Sequence, residues 1–272
     1  MKTKYFFLII LISFKTVSQI GSVDTTFGQN GYALTSFGSS WIGSMQARSI
    51  FVQSNGKILV GGEVYNTATL TDFALCRYNE DGTPDFSFGN QGKLVLDYQS
   101  TGNILYSILQ LSNGKILIGG SSGGNFVLCL FSENGILDTS VGNGTGIVTF
   151  NMSGNSSIIQ MKETEEGKII AAGLVSIGAD YYATLSRFNA SLSFDSAFAS
   201  NGTYLSTFKA IGSSSVFDIM PDGKIIFGST KFILGNFFDY ALMKFSQDGT
   251  IDTSFGENGT RFINITNQNI AD

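Results

Sequence analysis

Few side chains in this sequence are equipped for chemistry, and one absence narrows the choice at once: its 272 residues include no His. That removes imidazole from any metal site and takes away the usual general base of Ser and Cys hydrolases. Gly119-Gly-Ser-Ser-Gly123 matches the Gly-x-Ser-x-Gly form of a nucleophile elbow. It follows a strand-like run and precedes no helix, so it reads as a flexible turn. Paired carboxylates survive the test, because glycoside cleavage needs two acids and no His. The candidates are Asp72, Asp97, Asp180 and Asp239, spread over different parts of the chain; their plainer reading is solvated loop carboxylates. Cys76 and Cys129 are the two thiols. They occupy one position in two copies of a repeat, too far apart for a bridge if the copies are neighbours, and read as small, semi-buried fillers.

A recurring acid, Asp24, Asp85, Asp138, Asp195 and Asp252, raises the question of calcium. No alternating ladder of Asp and Asn ligands follows any of them, so each reads as an Asx-turn carboxylate that accepts from backbone N–H groups nearby. The sequence therefore predicts no metal site and no cofactor.

These residues sit in a frame rich in turns, with 33 Gly against 2 Pro, and with 24 Phe to fill interiors. At 43% hydrophobic the chain has ample material for a core. Met1 to Ser18 reads as a cleavable secretory signal: Lys2 and Lys4, an apolar run from Tyr5 to Phe14, then small residues ending at Ser18. The run is too short to span a bilayer, and no other stretch is long enough. Removal of Lys2, Lys4 and Lys15 with the signal leaves 13 of the 16 basic residues against 21 acidic ones, a net charge of −8. With no basic cluster, the charge argues against nucleic acid and anionic membrane surfaces as partners.

Three motifs recur in fixed order. The first is Asp24-Thr-Thr-Phe-Gly-Gln-Asn-Gly31, repeated from Asp85, Asp138, Asp195 and Asp252 at spacings of 61, 53, 57 and 57 residues. The second is Asn55-Gly-Lys-Ile-Leu-Val-Gly-Gly62, repeated from Asn113, Glu166 and Asp222. The third is Phe73-Ala-Leu-Cys-Arg-Tyr78, repeated from Phe126, Ala183 and Tyr240. Each period reads as four strands; in the second copy these are 93–98, 105–111, 115–119 and 126–131. Asn113-Gly114 predicts a type I′ hairpin. Lys115-Ile-Leu-Ile is apolar at consecutive positions, as in a strand buried on both faces. Lys57, Lys115, Lys168 and Lys224 follow the hairpin turns and read as solvated.

Stacked four-stranded periods predict an all-β fold, a β-propeller or an open propeller arc, with a β-sandwich as the alternative. The expected units are 31–78, 92–131, 146–188 and 202–245 within a single domain 19–272, plus one extra strand from a partial fifth unit at 252–265. The long segment Asn79–Gly92 is expected to cross from the outer edge of one blade to the inner edge of the next. An open arc would leave a bare blade face, which points to self-association or to further blades in a longer parent.

Together the three motifs resemble the bacterial delta-60 repeat family over residues 24–265. The resemblance implies a propeller-like fold and export, in a Gram-negative bacterium, and implies no activity. The expected location is outside the cytoplasm: periplasm, cell surface or medium.

Strand order sorts the loops onto two ends. The repeated motifs share one end; Glu63–Thr71, Ser121–Gly124, Ser176–Tyr181 and Thr230–Phe237 vary freely at the other, where a ligand site is expected. Its aromatics are Trp41, Tyr65, Tyr98, Tyr181, Phe232 and Phe237, suited to a glycan or to an extracellular protein, and equally to packing within their own loops. The favoured role is a non-enzymatic binding scaffold, and the alternative is a carboxylate-pair hydrolase or lyase acting on glycans.

Overall fold

In a computed structural model, the described residues are 21–38, 45–68, 70–211, 215–233 and 237–264. The expected signal peptide 1–18 and Trp41 lie outside them. Among the described residues, sixteen strands fall into four successive antiparallel units. The first unit is β1 (Met45–Val52), β2 (Ile58–Asn66), β3 (Leu70–Tyr78) and β4 (Lys93–Leu96). The second is β5 (Asn103–Gln110), β6 (Ile116–Ser122), β7 (Asn125–Phe131) and β8 (Ile147–Phe150). The third is β9 (Ser156–Glu163), β10 (Ile169–Ile177), β11 (Asp180–Phe188) and β12 (Thr203–Ala210). The fourth is β13 (Val216–Ile219), β14 (Ile225–Ile233), β15 (Phe237–Phe245) and β16 (Thr260–Asn264). The third and fourth units join into one eight-stranded sheet through the single pairing Ala210↔Lys231.

The strand content and burial on both faces follow the sequence: every residue of β6 is buried, as Lys115-Ile-Leu-Ile implied. The phase of the repeat does not. Lys93–Leu96 was expected to open the second unit, but it closes the first, with Cys76 opposite Lys93 and Phe73 opposite Leu96. The segment Asn79–Gly92 crosses no gap between blades; it folds back on its own sheet. Asn79 N–H donates to Thr83 O, Asp85 N–H to Arg77 O, and Arg77 N–H to Gly92 O. Its length builds a loop whose Phe88 inserts into the next unit. Likewise Thr260–Asn264 is no extra strand, since it pairs with β15 of its own unit.

The hairpin turn also differs from expectation. A type I′ turn needs positive φ at both central residues. Here only the glycine has it (Gly114, φ 83), while Gly114 N–H donates to Leu111 O and Leu111 N–H to Lys115 O. That is a type I turn followed by a left-handed glycine, with Asn113 Oδ1 accepting from Lys115 N–H. Six residues on, the second glycine of Ile-Gly-Gly120 has a separate cause. β5 bulges between Leu105 and Ser107, and a Cβ at Gly120 would lie 1.9 Å from Ile104 O.

Three hydrophobic clusters form the core, and each lies between two units. Leu59, Phe73, Leu75 and Phe88 of the first meet Ile108, Ile118, Cys129 and Phe131 of the second. Leu117, Leu128 and Val141 meet Ile158, Met161 and Phe188 in the next. Leu185 and Phe198 meet Phe217, Phe227 and Phe245 in the last. The units therefore stack face to face, and each conceals its strands only with a neighbour in place. Both thiols are free and buried.

Candidate functional site

The recurring Asp residues are turn builders. Asp85 Oδ1 accepts from Ser87 N–H, Asp138 Oδ1 from Ser140 N–H and Asp195 Oδ1 from Ala197 N–H. Their second oxygens do more than the sequence suggested. Asp85 Oδ2 accepts from Lys57 Nζ at 2.8 Å and from Arg77 Nε at 2.6 Å. Asp195 repeats this with Lys168 and Arg187, both at 2.7 Å. Lys57, Lys115 and Lys168 are thus paired rather than simply solvated; Lys115 holds Asp138 at 2.5 Å. Burial works to raise the Asp85 carboxyl, but hydrogen bonds from Lys57 and Ser87 and the charge of Arg77 hold it well below the usual carboxylate range. These pairs lie within single units, where they brace the loop that reaches the next one. Among the described residues no group of three or more Cys, Asp or Glu is placed to hold a metal.

Of the four acids considered for catalysis, Asp72 lies in β3, Asp97 directly after β4, Asp180 at the start of β11 and Asp239 in β15. Asp72 and Asp239, expected in solvated loops, are buried, because β3 and β15 begin upstream of them and carry them into the sheet. Asp97 accepts from Ser100 N–H, and Asp180 is held by Lys209 at 2.8 Å. None of the four lines the clefts described below.

The expected aromatics are likewise scattered. Tyr65 is half-buried in β2 opposite Thr71. Tyr98 packs on the core between the first two units. Phe232 lies 6.0 Å from Phe238 within β14 and β15, and Phe237 stands at the start of β15 opposite Ile233. Tyr181, 45% exposed, is the one that lines a cleft.

That cleft has a volume of about 540 Å³ and lies between the second and third units, at the end carrying the variable loops. Tyr106 and Ile104 of β5 and Ile159 of β9 form its apolar part; Ser121, Asn155 and Ser157 bring hydroxyl and amide groups. Arg48 stacks its guanidinium 5.1 Å from the Tyr106 ring centre, which fixes the ring's orientation. No Asp, Glu, Lys or Arg lines the cleft. Sequence reasoning missed Tyr106 by searching loops, whereas Tyr106 stands inside β5, the edge strand of its unit. The residues of β5 do not alternate in polarity, so no sequence pattern announced that Tyr106 is half-open between buried Leu105 and Ser107.

A second cleft, of about 610 Å³, opens at the opposite end between the turns of the third and fourth units. Its walls carry Glu163, Glu165, Glu166 and Asp222, with Lys162 bridging to Asp218 at 2.6 Å.

Among the described residues no helix is long and apolar enough to cross a membrane. Comparison with known proteins finds a family described as "Domain of unknown function (DUF5122) beta-propeller" matching residues 53–88, 111–140 and 221–255. No curated protein matches. Among solved structures, an endo-arabinase from Bacteroides thetaiotaomicron VPI-5482 is 12% identical with a TM-score of 0.40, over 75% of each chain. Drosophila Plexin A, solved in complex with Semaphorin 1b, is 12% identical with a TM-score of 0.39, over 73% of this chain and 40% of that one. The three matched stretches each carry the Asp-x-x-Phe loop or the Gly-Lys-Ile turn, and with the stacked four-stranded units they support an all-β, propeller-like fold.

Proposed function

We propose that this chain is a non-catalytic binding scaffold of the cell exterior, built of four blades, which holds an uncharged stretch of glycan in the cleft between its second and third units. The observation that carries this reading is the composition of the cleft. Two tyrosines, Tyr106 and Tyr181, flank hydroxyl and amide groups, with no carboxylate among the lining residues. Aromatic faces cover the apolar C–H faces of a sugar ring, while Ser and Asn side chains reach its hydroxyls. The same composition disfavours cleavage, which needs an acid and a second carboxylate within about 5–10 Å. Export by the signal at 1–18 would bring the scaffold to such ligands.

A glycan array probed with the purified chain tests the proposal. Binding to at least one neutral glycan is expected, falling tenfold or more in Tyr106→Ala and Tyr181→Ala, with the glycan recovered intact. An array with no hits, or hits unchanged by both substitutions, would overturn the reading. Shortened glycan products would replace it with the enzymatic one.

A further inference from the structure

Each interface between units joins two kinds of face. The face of the second unit that meets the first presents Ile108, Ile116, Ile118, Val127, Cys129 and Phe131, all in the shared core. The first unit carries the same surface on its free side: Ile50, Ile58, Val60, Ala74, Cys76 and Tyr78 occupy the matching repeat positions and line an open trough of about 420 Å³. Ile50 is 69% exposed where Ile108 is 5%. The opposite kind of face is bare on the fourth unit. Ile226, Tyr240, Leu242 and Phe255 match Leu59, Phe73, Leu75 and Phe88, and Tyr240 is 55% exposed where Phe73 is 1%.

The trough is partly covered by residues 24–37, which repeat the loop and closing strand of a unit. Gly28 N–H donates to Asp81 O at 2.7 Å, as Gly89 N–H does to Asn134 O at 2.9 Å and Ala199 N–H to Asp248 O at 2.8 Å. Phe27 lies against Gly82 just as Phe88 lies against Gly135. Beyond it, alternate residues Ala33, Thr35 and Phe37 face the trough while Tyr32 and Leu34 are exposed. No strand among the described residues pairs with 33–37. The segment is held by side-chain contacts, Thr35 hydroxyl to Tyr78 hydroxyl and Lys93 Nζ to Ser36 O.

We propose that this trough docks the fourth unit of a second copy of this chain, head to tail, and that residues 24–37 cap it by occupying the seat of the incoming copy's residues 252–264. The occupant follows from continuity with the three interfaces already present. The face of the fourth unit has the residue pattern that covers the matching surface in the second unit, and its own loop, Asp252-Thr-Ser-Phe255, is built to sit on a Gly82-type turn. Capping and docking exclude one another, so release of the cap governs assembly.

Analytical ultracentrifugation of the full chain tests this with three substitutions. Phe27→Asp, which detaches the cap, is expected to tighten self-association at least tenfold over the unsubstituted chain. Ile50→Glu blocks the trough and Tyr240→Glu blocks the docking face, so each alone is expected to stay monomeric. Their mixture retains one intact trough and one intact docking face, and is expected to form a one-to-one dimer; formation of that dimer also shows that both variants are folded. Association no stronger in Phe27→Asp than in the unsubstituted chain, or a mixture that remains monomeric, would overturn the proposal.

Discussion

The interface between the first and second units and the interface between the second and third solve one packing problem in two ways. In the former, the Arg77 guanidinium lies 4.8 Å from the Phe88 ring centre, is 1% exposed, bonds to Asp85 and donates through Nη1 to Glu133 O of the next unit. The Phe88 ring needs the glycine at 135, where a Cβ would approach it to 2.7 Å. The interface of the third and fourth units copies this with Arg187, Phe198 and Gly249, and Arg187 donates to Gln247 O. Between the second and third units all three residues change together: Leu130 replaces the arginine, Val141 the phenylalanine, and Leu192 the glycine. Leu192 keeps the left-handed backbone of the glycine it replaces (φ 59) and is buried in the space that the smaller Val141 leaves. A charged clamp and an apolar plug thus perform the same joining role, and the contrast separates what charge contributes from what volume contributes.

The largest expected effect falls on charge. Asp85→Asn keeps an oxygen for the Ser87 turn but leaves Arg77 buried without its counter-ion, so a loss of about 3–5 kcal/mol is expected. Asp138→Asn removes a partner from Lys115 alone, whose side chain is part exposed, and is expected to cost less than about 1 kcal/mol. Urea unfolding of the two variants measures the difference. Equal losses would mean that the arginine clamp holds no more than the surface pair does.

This contrast was half legible in the sequence. Consecutive apolar residues in Lys115-Ile-Leu-Ile announced strands covered on both faces, and the many Phe announced filled interiors. Arg77 was visible too, but only stacking shows that it reaches the following unit. The phase of the repeat was hidden for a general reason. A tandem pattern has no intrinsic origin, and nothing local in Lys93–Leu96 says whether it pairs backward with β3 or opens a new sheet. The pairing is decided by Asn79–Gly92 folding on itself, through backbone hydrogen bonds that residue types do not announce. Of the candidate site, Tyr181 was found because it borders a loop; Tyr106 was missed because exposure inside an edge strand depends on how the neighbouring unit is placed.

Volume is tested next, as an exchange. Phe88→Val alone leaves a void and is expected to cost about 2–3 kcal/mol. Gly135→Leu alone drives a side chain into the ring from a left-handed backbone, and about 2–3 kcal/mol is expected again. The double variant reproduces the pairing of Val141 with Leu192. It is expected to be more stable than the sum of the two losses by about 1 kcal/mol or more, read from a double-mutant cycle. Strict additivity would show that the two interfaces are not interchangeable solutions.

The smallest effect is a pH dependence that grades the two kinds of interface. The Asp138 carboxyl is held down to about 2, chiefly by the hydrogen bond from Lys115 and then by Ser140. Asp195 is also lowered, by the hydrogen bond from Lys168 first, against the opposing pull of burial, with Arg187 adding to it. A carboxyl whose folded pKa lies below its unfolded value of about 3.9 stabilises the fold fully above that value and loses the contribution as the pH falls towards the folded one. Thermal midpoints are therefore expected to drop between about pH 4 and pH 2. Lys115→Gln and Lys168→Gln each bring their carboxyl's folded pKa back towards the ordinary value, so both should flatten that drop. The flattening should be greater in Lys115→Gln, because Lys115 is the leading cause of the low Asp138 value, whereas Arg187 still bonds Asp195 once Lys168 is lost. Calorimetric scans at several pH values across this window decide the order; a larger change in Lys168→Gln would mean that Arg187 alone does not hold the Asp195 carboxyl down.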